Sequence, residues 1–339
     1  MKLVIQIPCF NEAETLPATL AELPRRVDGF DEVVILVIDD GSTDGTSDVA
    51  RTHGAHEVVR IPQNSGLAKA FSTGLDTALK LGADVIVNTD GDNQYSGKDI
   101  DKLVKPILNR EAEMVIGDRH PDSISHFSHL KKRLQSLGSR MVRLVSGTRV
   151  PDATSGFRAF SKAAAAQINV LSDYTYTIET IIQAGRRKIP MAFVEVGTNP
   201  KTRDSRLVKS DLSYVRRSGM TILRFFAIYN PLKVFMILGG IVFAAGLALG
   251  LRYLFFVATG HGAGHVQSVV LSAALLIIGF QVFVLALIAD LIGTNRLLLE
   301  DILARLRLMP GQGLQGSRDR EKEEKEEKEK PGHDAGTPG

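Results

Sequence analysis

The chain has 339 residues, of which 44% are hydrophobic, with a net charge of +3 and a single cysteine, Cys9. One cysteine excludes a disulfide framework and fits a reducing compartment. So small a net charge marks no particular partner, and no nucleic acid is expected.

Leu3 to Ile7 is a short apolar run and reads as the first strand. The opening apolar stretch ends at Pro8, too short for the core of a secretory signal. Ala13 to Leu23 carries Leu16, Leu20 and Leu23 at helical spacing. Val33 to Ile38 is a β-branched strand ending in Asp39-Asp40-Gly41-Ser42-Thr43-Asp44-Gly45, a turn cluster that leads into a helix. Glu57 to Ile61 is a weaker strand, and Ser65 to Leu81 is a helix. Asp84-Val85-Ile86-Val87-Asn88 reads as a buried strand, followed by a helix near Ile100–Leu108 and a strand at Met114–Gly117. Strands alternating with helices predict an α/β fold with a mostly parallel sheet covered on both faces. Ligands of such sheets sit beyond the carboxyl ends of the strands. Those ends carry Asn11/Glu12, Asp39/Asp40, Asp90/Asp92 and Asp118/Arg119.

The central strand ends in Asn88-Thr89-Asp90-Gly91-Asp92-Asn93-Gln94. Two acids at i and i+2 cannot both enter a core unpaired. Either this is a plain polar loop, or Asp90 and Asp92 hold a hard divalent cation with Gln94 as a further oxygen ligand. Gly91 is expected to let the backbone turn between them. Neither a G-x-x-x-x-G-K-[ST] loop nor a G-x-G-x-x-G turn follows the first strand, so Walker and dinucleotide folds are disfavoured. An acidic rim repels phosphate unless a cation bridges them, so the rim suits a metal–diphosphate complex.

Pro8-Cys9-Phe10-Asn11-Glu12, Asp39-Asp40-Gly41-Ser42-Thr43-Asp44, Asn64-Ser65-Gly66 and Asp90-Gly91-Asp92-Asn93-Gln94, in that order, resemble family 2 glycosyltransferases of the GT-A fold. The chain is most similar there to dolichyl- and polyprenyl-phosphate sugar transferases, and Thr154-Ser155-Gly156-Phe157-Arg158 adds to the match. The resemblance covers roughly residues 1–210. It implies that Asn11, Glu12, Asp39 and Asp40 surround the donor nucleoside, with Pro8, Ser42, Asn64, Gly66, Lys69, Asp90 and Gly91 also on the donor side. It implies further that Asp90, Asp92 and Gln94 hold Mg²⁺ or Mn²⁺ on the donor diphosphate of a UDP- or GDP-hexose.

The acceptor side is expected within residues 118–207. Arg119 follows a strand end, Lys131 to Ser146 reads as a basic amphipathic helix, and Tyr174 to Ala184 as a helix carrying Glu179. Ile189–Val196 is a last strand, and Asn199-Pro200-Lys201-Thr202-Arg203-Asp204-Ser205-Arg206 is a second basic loop. Guanidinium groups match phosphate bidentately, so Arg119, Arg203 and Arg206 are candidates to orient an acceptor phosphate, with Asp92 as the carboxylate closest to the chemistry. A solvated basic face near anionic lipid is the alternative. His120, His126 and His129 show no metal-ligand spacing.

The last third reads as a membrane anchor. Residues 208–231 mix Arg216, Arg217 and Arg224 with Leu212, Val215, Leu223 and Phe225, as in an interfacial helix. Residues 232–258 and 266–292 are each long enough to span a bilayer, which takes ~20 residues. Basic residues flank the pair outside (Arg224, Lys233; Arg296, Arg305, Arg307), and none lies in the 259–265 link, so both ends are expected in the cytoplasm. Residues 294–310 form a juxtamembrane helix, and 311–339 a charged disordered tail.

Together these imply transfer of a hexose to a polyprenyl phosphate at the cytoplasmic membrane face. The expected partners are the nucleotide sugar, the polyprenyl phosphate and the bilayer, with homo-oligomerisation left open. A hydroxyl acceptor would need a base, for which Glu179 or Asp152 could serve. A processive polysaccharide synthase is disfavoured because the chain has no Trp, and a non-enzymatic scaffold leaves the acidic rim unexplained.

Overall fold

A computed structural model describes residues 1–119, 150–170, 176–199, 230–260 and 266–309. The His120–His129 segment, the basic Lys131–Ser146 segment, Arg203, Arg206, most of the interfacial segment and the charged tail lie outside the described residues.

Seven strands form one sheet: β1 (Lys2–Cys9), β2 (Glu32–Asp39), β3 (Glu57–Arg60), β4 (Val85–Asn88), β5 (Met114–Asp118), β6 (Arg158–Ser161) and β7 (Met191–Glu195). Their order is β3-β2-β1-β4-β6-β5-β7. All neighbouring pairs are parallel except those of β6, which is antiparallel to both β4 and β5. Along β1, Val4 enters one core, while Leu3, Ile5 and Ile7 enter the other. That period-2 split, apolar on both sides, is what a sheet covered on both faces requires.

One face is covered by α1 (Leu16–Glu22), α2 (Thr46–Thr52) and α4 (Ile100–Leu108) through Leu16, Leu20, Ala50, Leu103 and Val104. The other is covered by α3 (Leu67–Lys80), α5 (Lys162–Gln167) and α6 (Thr177–Arg186) through Phe71, Leu75, Ala165 and Ile181. Strand β6 and helix α5 are additions to the expected elements, and the alternation otherwise follows expectation.

Two helices close the described chain, α7 (Pro231–Ala258) and α8 (Val266–Leu308). Both are long and apolar enough to cross a membrane. Small residues bring them into close contact: a Cβ on Gly246 would lie 2.9 Å from the Leu276 nitrogen, and one on Gly279 2.8 Å from the Phe243 nitrogen. Ser272 Oγ donates to the Gly246 carbonyl at 2.7 Å. Helix α8 does not break near residue 293, where the sequence suggests a separate juxtamembrane helix. At 1.5 Å per residue, its 43 residues run about 65 Å.

Candidate active site

Parallel registry brings the strand ends to one edge of the sheet. Cys9 pairs with Asp39, Gln6 with Asn88, and Asp118 with Glu195. The loops after β1, β2, β4, β5 and β7 therefore meet.

The loops after β1 and β2 fasten each other. Asn11, at φ 54, accepts on Oδ1 from the Thr43 nitrogen at 2.9 Å and donates its own N–H to Ser42 Oγ at 2.8 Å. The Glu12 nitrogen donates to Thr46 Oγ1. Asp39 is buried and accepts from the Ser42 nitrogen and from Ser47 Oγ. Asp40, also buried, accepts from the nitrogens of Ser65 and Gly66 at 2.9 and 2.8 Å. It thereby anchors the Asn64-Ser65-Gly66 turn that opens α3. Asn64 and Lys69 are exposed there, while Pro8 and Ser42 are buried. The donor-side candidates thus lie around one rim, with both carboxylates of the Asp39–Asp40 pair holding backbone N–H groups.

Gly91 is required for a different reason from the one expected. Its φ is not positive; the left-handed residue of the loop is Asn93, at φ 56. A Cβ on Gly91 would lie 2.8 Å from Cys9 Sγ. Its carbonyl accepts from Thr15 Oγ1 and Thr19 Oγ1 of the α1 region at 3.0 and 3.2 Å. Asp92 Oδ1 accepts from the Gln94 nitrogen at 3.1 Å.

Asp90 stands against Gly156, where an added Cβ would lie 3.0 and 3.1 Å from its carboxylate oxygens. Gly156 is clamped on both sides. Its N–H donates to the Tyr95 hydroxyl at 2.9 Å, and its carbonyl accepts from Asn88 Nδ2 at 2.8 Å. Asn88 Nδ2 also reaches the Tyr176 hydroxyl, and Asn88 Oδ1 accepts from Gln6 Nε2. Tyr176 stacks on Phe71 at 3.9 Å, and Tyr95 on Phe157 at 5.1 Å. Burial, with the Asp92 carboxylate next, pushes the Asp90 carboxyl up to about 7. Burial likewise pushes the Tyr95 hydroxyl up to about 12, keeping it protonated.

These residues fit a hard divalent cation. Two acidic side chains one residue apart, one of them raised by burial and by the other's charge, are stabilised as anions by a cation. Among the described residues no three His, Cys, Asp or Glu side chains converge on a metal. Magnesium-type sites commonly take only one or two carboxylates and fill the rest with substrate phosphate and water.

Arg119 does not project freely. Its Nε donates to Asp152 Oδ2 at 2.8 Å, its Nη2 reaches Thr154 Oγ1 at 2.9 Å, and its guanidinium lies over the Tyr95 ring at 5.7 Å. Burial raises the Asp152 carboxyl, but Arg119 and Thr154 outweigh it and hold the group below the usual range. A carboxylate so paired is a poor base. Glu179 is fully buried in α6. Neither serves the hydroxyl-acceptor alternative well. Arg158 is fully buried too, and its guanidinium donates to the carbonyls of Ser155, Thr177 and Ala153. It staples the 153–158 turn to α6.

Asn199 joins the end of β7 to the acidic loop. Its N–H donates to the Gln94 carbonyl at 2.9 Å, and its Nδ2 to Glu22 Oε2 and the Asn93 carbonyl. Tyr95 and Thr198 form a bridge beside it. Sequence reading missed Gln6, Thr15, Thr19, Asn88, Tyr95, Gly156, Tyr176 and Asn199 as parts of the site. Asn88, Gly156 and Asn199 do lie in stretches that the sequence singles out, but without these roles.

Comparison with known proteins agrees with this geometry. The model of glycosyl transferase family 2 matches residues 4–168, and that of a GtrB C-terminal hairpin matches residues 230–295. The chain is 30% identical to glycosyltransferase AglJ of Haloferax volcanii over 85% of this chain and 92% of that one. It is 31% identical to a UDP-N-acetylglucosamine–dolichyl-phosphate N-acetylglucosaminyltransferase of Methanococcus voltae over 57% of this chain and 83% of the other. In fold it is similar to glucosyl-3-phosphoglycerate synthase of Mycobacterium tuberculosis, solved with Mn²⁺, UDP and glucosyl-3-phosphoglycerate. The TM-score is 0.53 at 20% identity, over 67% of this chain and 78% of that one. The seven-stranded sheet with its acidic edge is of GT-A type, and the chain belongs to glycosyl transferase family 2.

Proposed function

We propose that the protein transfers a hexose, with inversion, from a UDP- or GDP-sugar to a polyprenyl monophosphate at the cytoplasmic membrane face. The observation that carries this is Asn199. It pins the chain to the Asp90–Gln94 loop two residues before Lys201, the first of the basic residues Lys201, Arg203 and Arg206. The same chain carries two helices able to cross a membrane, so a phosphate borne on a lipid can approach that basic segment. The dolichyl-phosphate acceptor named for the Methanococcus voltae relative supports the same class.

Asn11, Glu12, Asp39 and Asp40 border the nucleoside, and the Asn64–Gly66 turn with Lys69 completes that rim. Asp90, Asp92 and Gln94 would hold Mg²⁺ or Mn²⁺, which when bound offsets charge on the leaving diphosphate. Gly156, clamped by Tyr95 and Asn88, keeps Asp90 in place. A phosphate monoester has a second pKa of about 6, so at neutral pH it attacks as a dianion without a strong base. That agrees with the committed state of Asp152. Arg119, fixed between Asp152 and Tyr95, with Arg203 and Arg206, offsets repulsion between the two anions and orients the acceptor.

Purified full-length protein in vesicles, given a panel of labelled nucleotide sugars, tests this. We expect one donor to label the lipid fraction only when polyprenyl phosphate is added, and EDTA to abolish the signal. Label appearing equally without polyprenyl phosphate would contradict the reading.

A further inference from the structure

The second apolar helix passes beyond its partner and lies on the catalytic domain. Gly293 is level with Pro231, the first residue of α7. Past that point α8 packs along α5 and reaches α3. Two polar contacts fix it there. Near the middle of this extension, Arg187, the residue just past α6, pairs with Glu300 at 2.8 Å and Asp301 at 3.0 Å. The Glu300 side chain is only 5% exposed, and Arg296 holds it from its own helix at 2.7 Å. Near the end, Arg307 Nε sits 2.9 Å from Asp76 Oδ1 of α3, an ion pair without hydrogen-bond alignment. Its Nη1 donates to the Ile168 carbonyl at 2.8 Å, just past α5.

Glu300 and Arg307 are about two helical turns, or roughly 10 Å, apart. A single contact would act as a hinge, whereas two this far apart fix both tilt and height. The helix between them has no proline to bend at. Helix α6 lies between Arg187 and Tyr176, the residues that cap its two ends, and the Tyr176 hydroxyl meets Asn88 beneath Gly156 and Asp90. The clamp therefore engages the element that floors the acidic loop.

We infer that Arg187 and Arg307 are positioning residues that hold the active site at a fixed height and tilt over the bilayer. On the functional reading above, on which this rests, they let a lipid-borne phosphate reach the acidic loop. They act through α8 and touch neither substrate.

The test compares two acceptors in full-length protein: long-chain polyprenyl phosphate in vesicles and a short-chain, water-soluble polyprenyl phosphate. In the double variant Arg187→Ala/Arg307→Ala the apparent KM for the vesicle acceptor should rise about tenfold, equivalent to ~1.4 kcal/mol. Kinetics with the soluble acceptor should stay within about twofold of wild type. The Arg187→Lys/Arg307→Lys variant should recover most of the loss, because the charges remain. An unchanged vesicle KM, or equal loss with both acceptors, would overturn the inference. Amide exchange over residues 296–308 gives a readout that needs no acceptor: it should be slow in wild type and fast in the alanine variant, and equal rates would overturn the clamp. Wild-type failure with both acceptors would instead remove the functional reading and leave the exchange result to judge the clamp.

Discussion

An alanine at position 156 would place its Cβ 2.8 Å from the Tyr176 hydroxyl and 3.0 Å from an Asp90 oxygen. Tyr176 is held by Asn88 and by stacking on Phe71, so the methyl group has to displace the carboxylate. A misplacement on the order of 1 Å costs about a hundredfold in rate. Gly156→Ala should therefore lower kcat by about that factor while the protein still melts cooperatively, as steady-state kinetics and a thermal melt would show. Asp92→Asn keeps the shape and removes one charge, so activity should fall and the melting temperature should hold. Normal activity in this variant, or in wild type with EDTA, would remove the metal role. The acids at 39, 40, 90 and 92 were legible in the sequence because each sits at or just past the end of an apolar strand, where a charge must find partners. Gly156, Tyr95 and Tyr176 were not legible, since their roles depend on β6 folding back between β4 and β5. Gly91 was legible as necessary but for the wrong reason: Cys9 crowds it, and Asn93 makes the turn.

Among the elements, β6 shows why a four-residue strand escapes periodicity. Its residues, Arg158-Ala159-Phe160-Ser161, are buried on both faces except at the end. Their one charge, on Arg158, is stabilised by backbone carbonyls that no spacing rule reveals. Helix α8 reads as two elements in sequence because most of its charges lie from Arg296 onward, yet Glu300, Asp301 and Arg307 meet the catalytic domain and the helix continues. At the start of α3, Asp40 takes two backbone N–H groups that otherwise have no fixed partner. Asp40→Asn converts one acceptor oxygen to a donor and should cost about 1.5–3 kcal/mol of local order, the scale of a charged hydrogen bond. The expected effect is a higher donor KM, at least about tenfold, with little change in kcat once donor saturates. Calorimetric titration with the nucleotide sugar would show the same loss, and unchanged donor affinity would remove the Asn64–Lys69 turn from the donor rim.

At the scale of the whole molecule, the α7–α8 hairpin and the catalytic domain meet at the hairpin's open end. There Arg186 Nη2 donates to Asn230 Oδ1 at 2.9 Å, and Arg187 meets Glu300. The domain and both helix ends thus lie together, and the proposed reading, from the positive flanks, is that they face the cytoplasm. A reporter fused after Arg307 should read as cytoplasmic, and a tag at Gly262 should be labelled from outside intact cells. A protected Gly262 tag would reverse the assignment. The proposed reaction requires the acceptor to be a phosphate. The most direct measurement supplies polyprenyl phosphate and the matching polyprenol, in identical vesicles, with the preferred nucleotide sugar. Sugar should pass to the phosphate alone, giving a product that mild acid cleaves to free sugar and polyprenyl phosphate. Transfer to the polyprenol at a comparable rate would contradict it.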